Sequence, residues 1–354
     1  MIDTAMQIAL HKTDNSRLSE VDFNDIGFGK TYSDHMFVAD YLEGAWTDLR
    51  IVPYGDITLS PANSALHYGQ SIFEGLKAYR NKDGEIVLFR PDRNAARMNK
   101  SAARMMMAEL PEEIFMEGLR ELLNLDQAWV PKLPDSLYIR PFMFAMDPYI
   151  GVRPSQSYRF MIFTTPVGSY YSEPVKVKIE TDFTRAAAGG TGFAKTAGNY
   201  AASLYPASLA QKDGYHQLVW TDGKTHEFIE ESGTMNVMFL IGDTLITAPA
   251  SDTILDGVTR DSVLTLARDW GMKVEERPVR VEEVVAAAKA GTLKEAFGAG
   301  TAATIAHISV ISHEGTDYTL APVAERTFSP RVLDALDKIK TGEMEDKFNW
   351  IQTV

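Results

Sequence analysis

The chain has no cysteine among its 354 residues. That excludes a disulfide framework, a thiolate nucleophile and any Cys-ligated metal. The seven histidines, at 11, 35, 67, 216, 226, 307 and 313, are scattered and never form H-E-x-x-H. With no G-x-S-x-G elbow either, zinc hydrolase and α/β-hydrolase readings fall, and no metal site is expected. Positive charge is in short supply: 35 Lys and Arg stand against 48 Asp and Glu, a net charge of -13. Nucleic-acid binding needs a basic stripe to neutralise phosphates, so no nucleic-acid partner is expected. No apolar run of about 20 residues exists to span a membrane. The first residues, MIDTAMQIAL, carry Asp3 and lack the basic region of a secretory signal. The expectation is a soluble cytoplasmic protein without internal repeats.

What is present is ordinary globular composition, 45% hydrophobic and 23% charged. At about 100–200 residues per domain the length points to two domains. Residues 28–60 read as short strands with turns at Pro53-Tyr54-Gly55-Asp56. Asp83-Gly84 reads as a hairpin turn. Pro91-Asp92 opens an amphipathic helix that runs to about Met107 and takes in Met105-Met106-Met107 as core filling. A second helix is expected from Pro111 to about Leu123, then strands at 136–144 and 158–165. The run from Pro166 to Ser172 breaks the pattern. The division expected is a small domain at 1–167, a linker at 168–176 and a larger domain at 177–354. The second part reads as a strand at 175–180, a Gly/Ala-rich loop at 186–199, a helix at 200–212 and strands over 216–248. Helices follow at 259–270, 281–290 and 328–341. Helices and strands mixed in both halves give an α/β class of the α+β type.

Four constellations carry chemistry. Gly189 to Tyr200 is a loop of small residues around one lysine, Lys195. Small residues let a flat ligand approach closely, and lysine forms imines with carbonyls. By itself the loop reads first as an exposed turn with a solvated lysine, because exposed lysines are the norm. Glu230-Glu231-Ser232-Gly233-Thr234-Met235-Asn236 joins two strand-like runs and presents a carboxylate and a hydroxyl, or is a solvated hairpin. Asp256-Gly257-Val258-Thr259 leads into a helix, and Gly298-Ala299-Gly300-Thr301-Ala302 follows a short strand. Such turns expose N–H groups to phosphate, although Thr259 also suits an N-cap. Tyr68 to Tyr79, with Tyr138-Ile139-Arg140-Pro141, sets aromatics beside glycine and an arginine in a strand. That suits an apolar pocket with a carboxylate contact, or ordinary core packing with an ion pair.

Taken in order, these blocks resemble the branched-chain amino acid aminotransferases of the fold type IV class of pyridoxal phosphate enzymes. Phe28 to Met36, Phe73-Glu74-Gly75, Phe89-Arg90-Pro91, Tyr138-x-Arg140-Pro141, Lys195-x-x-Gly198-Asn199-Tyr200 and Glu231-x-Gly233-Thr234-Met235-Asn236 carry the resemblance, from about residue 28 to 302. It implies a smaller N-terminal α/β domain and a larger domain of pseudo-barrel strands with helices. It implies reversible transamination of L-leucine, L-isoleucine and L-valine with 2-oxoglutarate, by a ping-pong mechanism with pyridoxal 5′-phosphate. Lys195 is the implied Schiff base and proton shuttle. Glu231 is implied at the pyridine nitrogen, Tyr200 at the ring oxygen, and Arg97, Val258, Thr259 and Thr301 at the phosphate. For substrate, Phe28, Tyr68, Phe73 and Tyr170 match wall positions, and Val152 matches one contributed by the partner subunit of a homodimer. Thr234, Thr301 and Ala302 are implied near the α-carboxylate, and Tyr138 and Arg140 at the side-chain carboxylate of glutamate. Some members have a Cys-x-x-Cys pair after Gly-Thr-Ala. Ala303 and Ala306 stand at those positions here, which excludes a thiol switch. A D-amino acid transaminase or aminodeoxychorismate lyase of the same fold, or a non-catalytic binding protein, are the other readings.

Overall fold

The computed structural model describes residues 7–354 apart from Asn24, Ser169 and Ser172. Those two serines of the expected linker, and residues 1–6 of the N-terminal segment, lie outside the described residues. The chain divides into two compact units, Met1–Tyr170 with Lys338–Val354, and Tyr171–Asp337. The C-terminal 17 residues, Lys338–Val354, group with the first unit. The strand Ile351–Thr353 pairs antiparallel with Ile86–Phe89, satisfying the backbone groups of that edge.

The first unit is built on one sheet. Its path runs Ala9–Leu10, Ala45–Pro53, His35–Leu42, Tyr158–Val167, Ser136–Ala145, Leu76–Arg80, Ile86–Phe89 and Ile351–Thr353, with Ser71–Phe73 paired to Ser136–Ala145. The segment 28–60 thus supplies two long paired strands rather than several short ones. Helices Pro91–Arg104 and Glu112–Leu125 cover one face through Met98, Ile114, Phe115, Leu119 and Leu122. Gly118 on the second helix lets Phe37 approach: an added Cβ would stand 2.6 Å from the ring. The first helix stops at Arg104, so the methionine triplet lies in the turn after it. Met106 takes φ 52° and is exposed, which turns the chain and lets Met107 reach the core. Met107 is buried in the core and Met105 packs half-buried against it, so Met106 alone of the three departs from the expected core filling.

The second unit closes on itself. Met235–Ile241, Leu293–Gly300, Thr304–His313, Val175–Ile179, Gln217–Thr221 and Phe228–Ser232 pair successively, and the last returns to the first. The result is a six-stranded ring, the pseudo-barrel that the resemblance implies. Helices Val258–Asp269 and Val281–Lys289 flank it. No helix among the described residues is long and apolar enough to cross a membrane.

Glu295, buried on the strand Leu293–Gly300, anchors the start of helix Ser329–Thr341. It accepts from the N–H groups of Thr327, Phe328 and Ser329 at 2.7–2.9 Å and from the Ser329 hydroxyl at 2.6 Å. Burial works to raise this carboxyl, but the four hydrogen bonds outweigh it and hold it below its ordinary value. A depressed folded value adds stability that is present above the unfolded value and lost as pH falls through the folded one. Glu295→Gln is therefore expected to cost about 1–3 kcal/mol at neutral pH, with the gap to the parent closing in acid. Denaturant unfolding of both proteins at pH 7 and pH 4 checks this. A gap that persists unchanged in acid would contradict it.

Candidate active site

In the second unit, the site grows from one end of the strand Met235–Ile241. The tight turn before it needs Gly233 at φ 56°, where a Cβ would also meet the Gln217 side chain. The strand register sets Glu231 opposite Asn236, and Asn236 opposite Ala299 on the next strand. Met235 crowds that neighbour: a Cβ at Gly298 would stand 2.8 Å from its methyl and one at Gly300 3.0 Å from its Cγ. The Gly-Ala-Gly run is thus the last stretch of an eight-residue strand rather than a turn after a short one, and Thr301 and Ala302 begin the turn. Glu231 and Asn236 both grip Leu255. Glu231 Oε1 accepts from the Leu255 N–H at 2.7 Å, and Asn236 Nδ2 donates to the Leu255 carbonyl at 2.9 Å. Gly257 follows, where a Cβ would strike Asn236 Oδ1 at 2.0 Å. Helix Val258–Asp269 then starts with Gly257 as its N-cap, so Thr259 is not the cap but a first-turn residue. The first-turn N–H groups of a helix are left for partners outside it.

The Lys195 loop is not a loose turn. Asn199 Nδ2 donates to the carbonyls of Thr191 and Ala194 at 2.8 and 2.9 Å, and Thr191 donates its hydroxyl to Asn199. Gly189 and Phe193 bond to Asp252. Gly192 lies against Thr253, with room for no Cβ. Lys195 is half-buried at the end of this loop, and its Nζ donates to the Tyr200 hydroxyl at 2.8 Å from one turn into helix Ala197–Lys212. Tyr200, Glu231, Gly233, Thr234 and Leu255 line one recess. Arg185 lines it too, and no reading of the sequence singled it out. The signal available was an isolated arginine directly before a stretch of small residues.

The first unit gathers another group. Phe28 packs edge-on against Tyr138 and Tyr170, each at 5.1 Å. The Arg140 guanidinium lies over the rings of Phe73 at 4.6 Å and Tyr138 at 5.3 Å, and donates to the Tyr138 hydroxyl at 3.1 Å. Its Nε is buried without a hydrogen-bond partner. Burial pushes the Tyr170 phenol up, and Tyr138 adds to the shift. Five expected substrate residues thus meet. Tyr68 stands outside the group, half-exposed beside His67, and Val152 is 89% exposed on a loop. Beneath the group sits Glu74, fully buried, which the sequence reading quoted in a motif without a role. It accepts from Arg97 Nε and Nη2 at 2.7 and 2.8 Å and from Asn94 at 2.8 Å. Charge on both sides makes this two-point contact the strong kind.

Residues 71–311 match the model of the family described as amino-transferase class IV. The chain belongs to that family. Among class IV aminotransferase relatives, it is 44% identical over 335 residues to branched-chain-amino-acid transaminase 1 of Bacillus subtilis, covering 93% of this chain and 94% of that one. It is likewise 44% identical to the branched-chain-amino-acid aminotransferase of Mycolicibacterium smegmatis, covering 92% and 91%. The fold is similar to the Escherichia coli branched-chain amino acid aminotransferase structure, with a TM-score of 0.71, 26% identity, and 90% and 98% coverage. It is also similar to the branched-chain aminotransferase of Thermoproteus uzoniensis, with a TM-score of 0.74, 24% identity, and 90% and 99% coverage. These likenesses bear out the fold class and the family that the motif order implied.

Within the first unit, Gly75 leaves room for Tyr138: an added Cβ would stand 2.2 Å from its hydroxyl. Gly75→Ala is expected to cost about 1–3 kcal/mol by overpacking. In a Tyr138→Phe background the same change should cost less, since the hydroxyl is the nearest atom. Thermal unfolding of the four proteins measures the difference, and equal costs in both backgrounds would place the clash elsewhere.

Proposed function

We propose that the chain interconverts L-leucine, L-isoleucine and L-valine with their 2-oxo acids, using 2-oxoglutarate and glutamate as the second pair and pyridoxal 5′-phosphate as cofactor. The observation that carries it is an amine, a phenol and a carboxylate converging in one unit of a class IV aminotransferase: Lys195 Nζ on Tyr200, with Tyr200 and Glu231 lining one recess. The relatives named as branched-chain aminotransferases over nine-tenths of the chain support the substrate class.

The donor set suits this cofactor. Lys195 offers an amine to its carbonyl, Tyr200 a phenol to its ring oxygen and Glu231 a carboxylate to its ring nitrogen. Val258 and Thr259, in the first turn of a helix, together with Thr301 offer donors to its phosphate. Arg97 is assigned to the same phosphate on the motif order, with Glu74 orienting its guanidinium through two hydrogen bonds. When bound, the cofactor supplies an electron sink for the carbanion at the substrate Cα.

The chain's own residues do the rest. Lys195 Nζ takes the proton from Cα and later returns one, general acid–base work for which its amine is held by the Tyr200 hydroxyl. Glu231 holds a proton on the ring nitrogen. Phe28, Tyr68, Phe73 and Tyr170 wall the apolar side chain, with Val152 contributed by the partner subunit of a homodimer. Thr234, Thr301 and Ala302 receive the α-carboxylate. Tyr138 and Arg140 receive the second carboxylate of glutamate. The buried, unpartnered Arg140 Nε supports this, because a desolvated donor gains most from a charged acceptor. The ring-stacked guanidinium can face leucine as an aromatic edge and glutamate as a charge. We place the enzyme in the cytoplasm.

With 2-oxoglutarate as acceptor, L-leucine should turn over and D-alanine should not. The reverse preference would support a D-amino acid transaminase. Arg140→Met should raise KM for 2-oxoglutarate by about tenfold or more and change the L-leucine half-reaction much less. Equal losses for both substrates would remove the assigned role of Arg140.

A further inference from the structure

Strand Phe228–Ser232 carries two adjacent carboxylates, Glu230 and Glu231, both buried. An isolated buried carboxylate neutralises itself by taking up a proton. Glu230 shows this tendency: burial pushes it up and the neighbouring Glu231 adds to the rise, against the Thr253 hydroxyl and Arg185. Its Oε2 is buried without a hydrogen-bond partner.

Arg185 is the cation placed against this pair. Its side chain is 8% exposed, and its Nη1 lies 3.5 Å from Glu231 Oε2. Its Nη2 donates to the Thr253 carbonyl, and its Nε is buried without a partner. The opposite oxygen of Glu231 is fixed by the Leu255 N–H. Glu231 is therefore held from two sides, by a backbone donor and by a desolvated guanidinium. Arg185 also opens the loop that leads to Lys195, and the Thr253 that anchors it packs against Gly192 of that loop. We infer that Arg185 is a positioning residue: it keeps Glu231 ionised and directed into the recess, so that the carboxylate is ready to hold a proton on the cofactor's ring nitrogen.

The inference rests on the reading of Glu231 given above. Arg185 itself need not touch the cofactor. It acts through Glu231, and that separates this role from general support of the fold. If Arg185 works only by charging and aiming Glu231, its removal has nothing left to spoil once Glu231 is neutral.

The test is a double-mutant cycle on pyridoxal phosphate affinity, measured by equilibrium dialysis of the apoprotein, with circular dichroism to confirm folding. R185Q should weaken binding at least tenfold. R185K should recover most of it, because the charge is retained. R185Q/E231Q should bind no more weakly than E231Q alone. The inference is overturned if R185Q binds like the parent, or if the two losses multiply. Should R185Q fail to fold, R185K with R185K/E231Q closes the same cycle: a small R185K loss that vanishes in the E231Q background supports the inference, and one that persists there overturns it. If E231Q binds the cofactor as tightly as the parent, the assignment of Glu231 falls and this inference with it. A weakened E231Q beside an unaffected R185Q sinks the inference alone.

Discussion

The second unit depends on the double grip of Glu231 and Asn236 on the backbone of Leu255. These two side chains stand opposite each other across one antiparallel turn, so a single register places both. By holding the 255–257 segment they set where helix Val258–Asp269 begins. The same register carries Ala299, and hence the Thr301–Ala302 turn, alongside. A carboxylate, a helix N-terminus and a small-residue turn come to one place because the strands pair in one way and no other. Gly257 and Gly298 follow from this closeness, each facing a side chain that leaves no room for a Cβ.

The first unit uses one buried carboxylate in a comparable way. Glu74 fixes Arg97 and Asn94, and the glycine after it admits the Tyr138 hydroxyl. Tyr138 then receives Arg140, whose guanidinium lies over two aromatic rings. A half-buried arginine stacked on aromatics presents apolar faces beside its guanidinium edge, which is what a site serving both leucine and glutamate needs. Stability and specificity meet here, since the contacts that order this group are also those assigned to substrate.

Much of this was legible in the residues. Strands such as Ser136–Ala145 announce themselves by long apolar and aromatic runs, and Lys195 stands out as one lysine among small residues. The order of the motifs, more than any one of them, pointed to the family. Less visible was whatever depends on distant partners. Arg185, on a loop, acquires meaning only from a carbonyl 68 residues away and a carboxylate on the strand Phe228–Ser232. The strand Ile351–Thr353 is too short to show a period and exists because an edge needed covering. The methionine triplet continues the apolar period of helix Pro91–Arg104, but the chain turns at Met106 with φ 52° and Met107 is buried outside the helix. Glu74 was in plain view between an aromatic and a glycine, yet its partners lie about 20 residues on and appear only once the helix packs.

The account stands on Lys195 as the residue that binds pyridoxal phosphate. Its most direct test is chemical: add the cofactor, reduce with borohydride to fix it in place, digest, and locate the modified lysine by mass spectrometry. The account predicts stoichiometric labelling of the peptide that contains Lys195. Labelling of another lysine, or none, would contradict it.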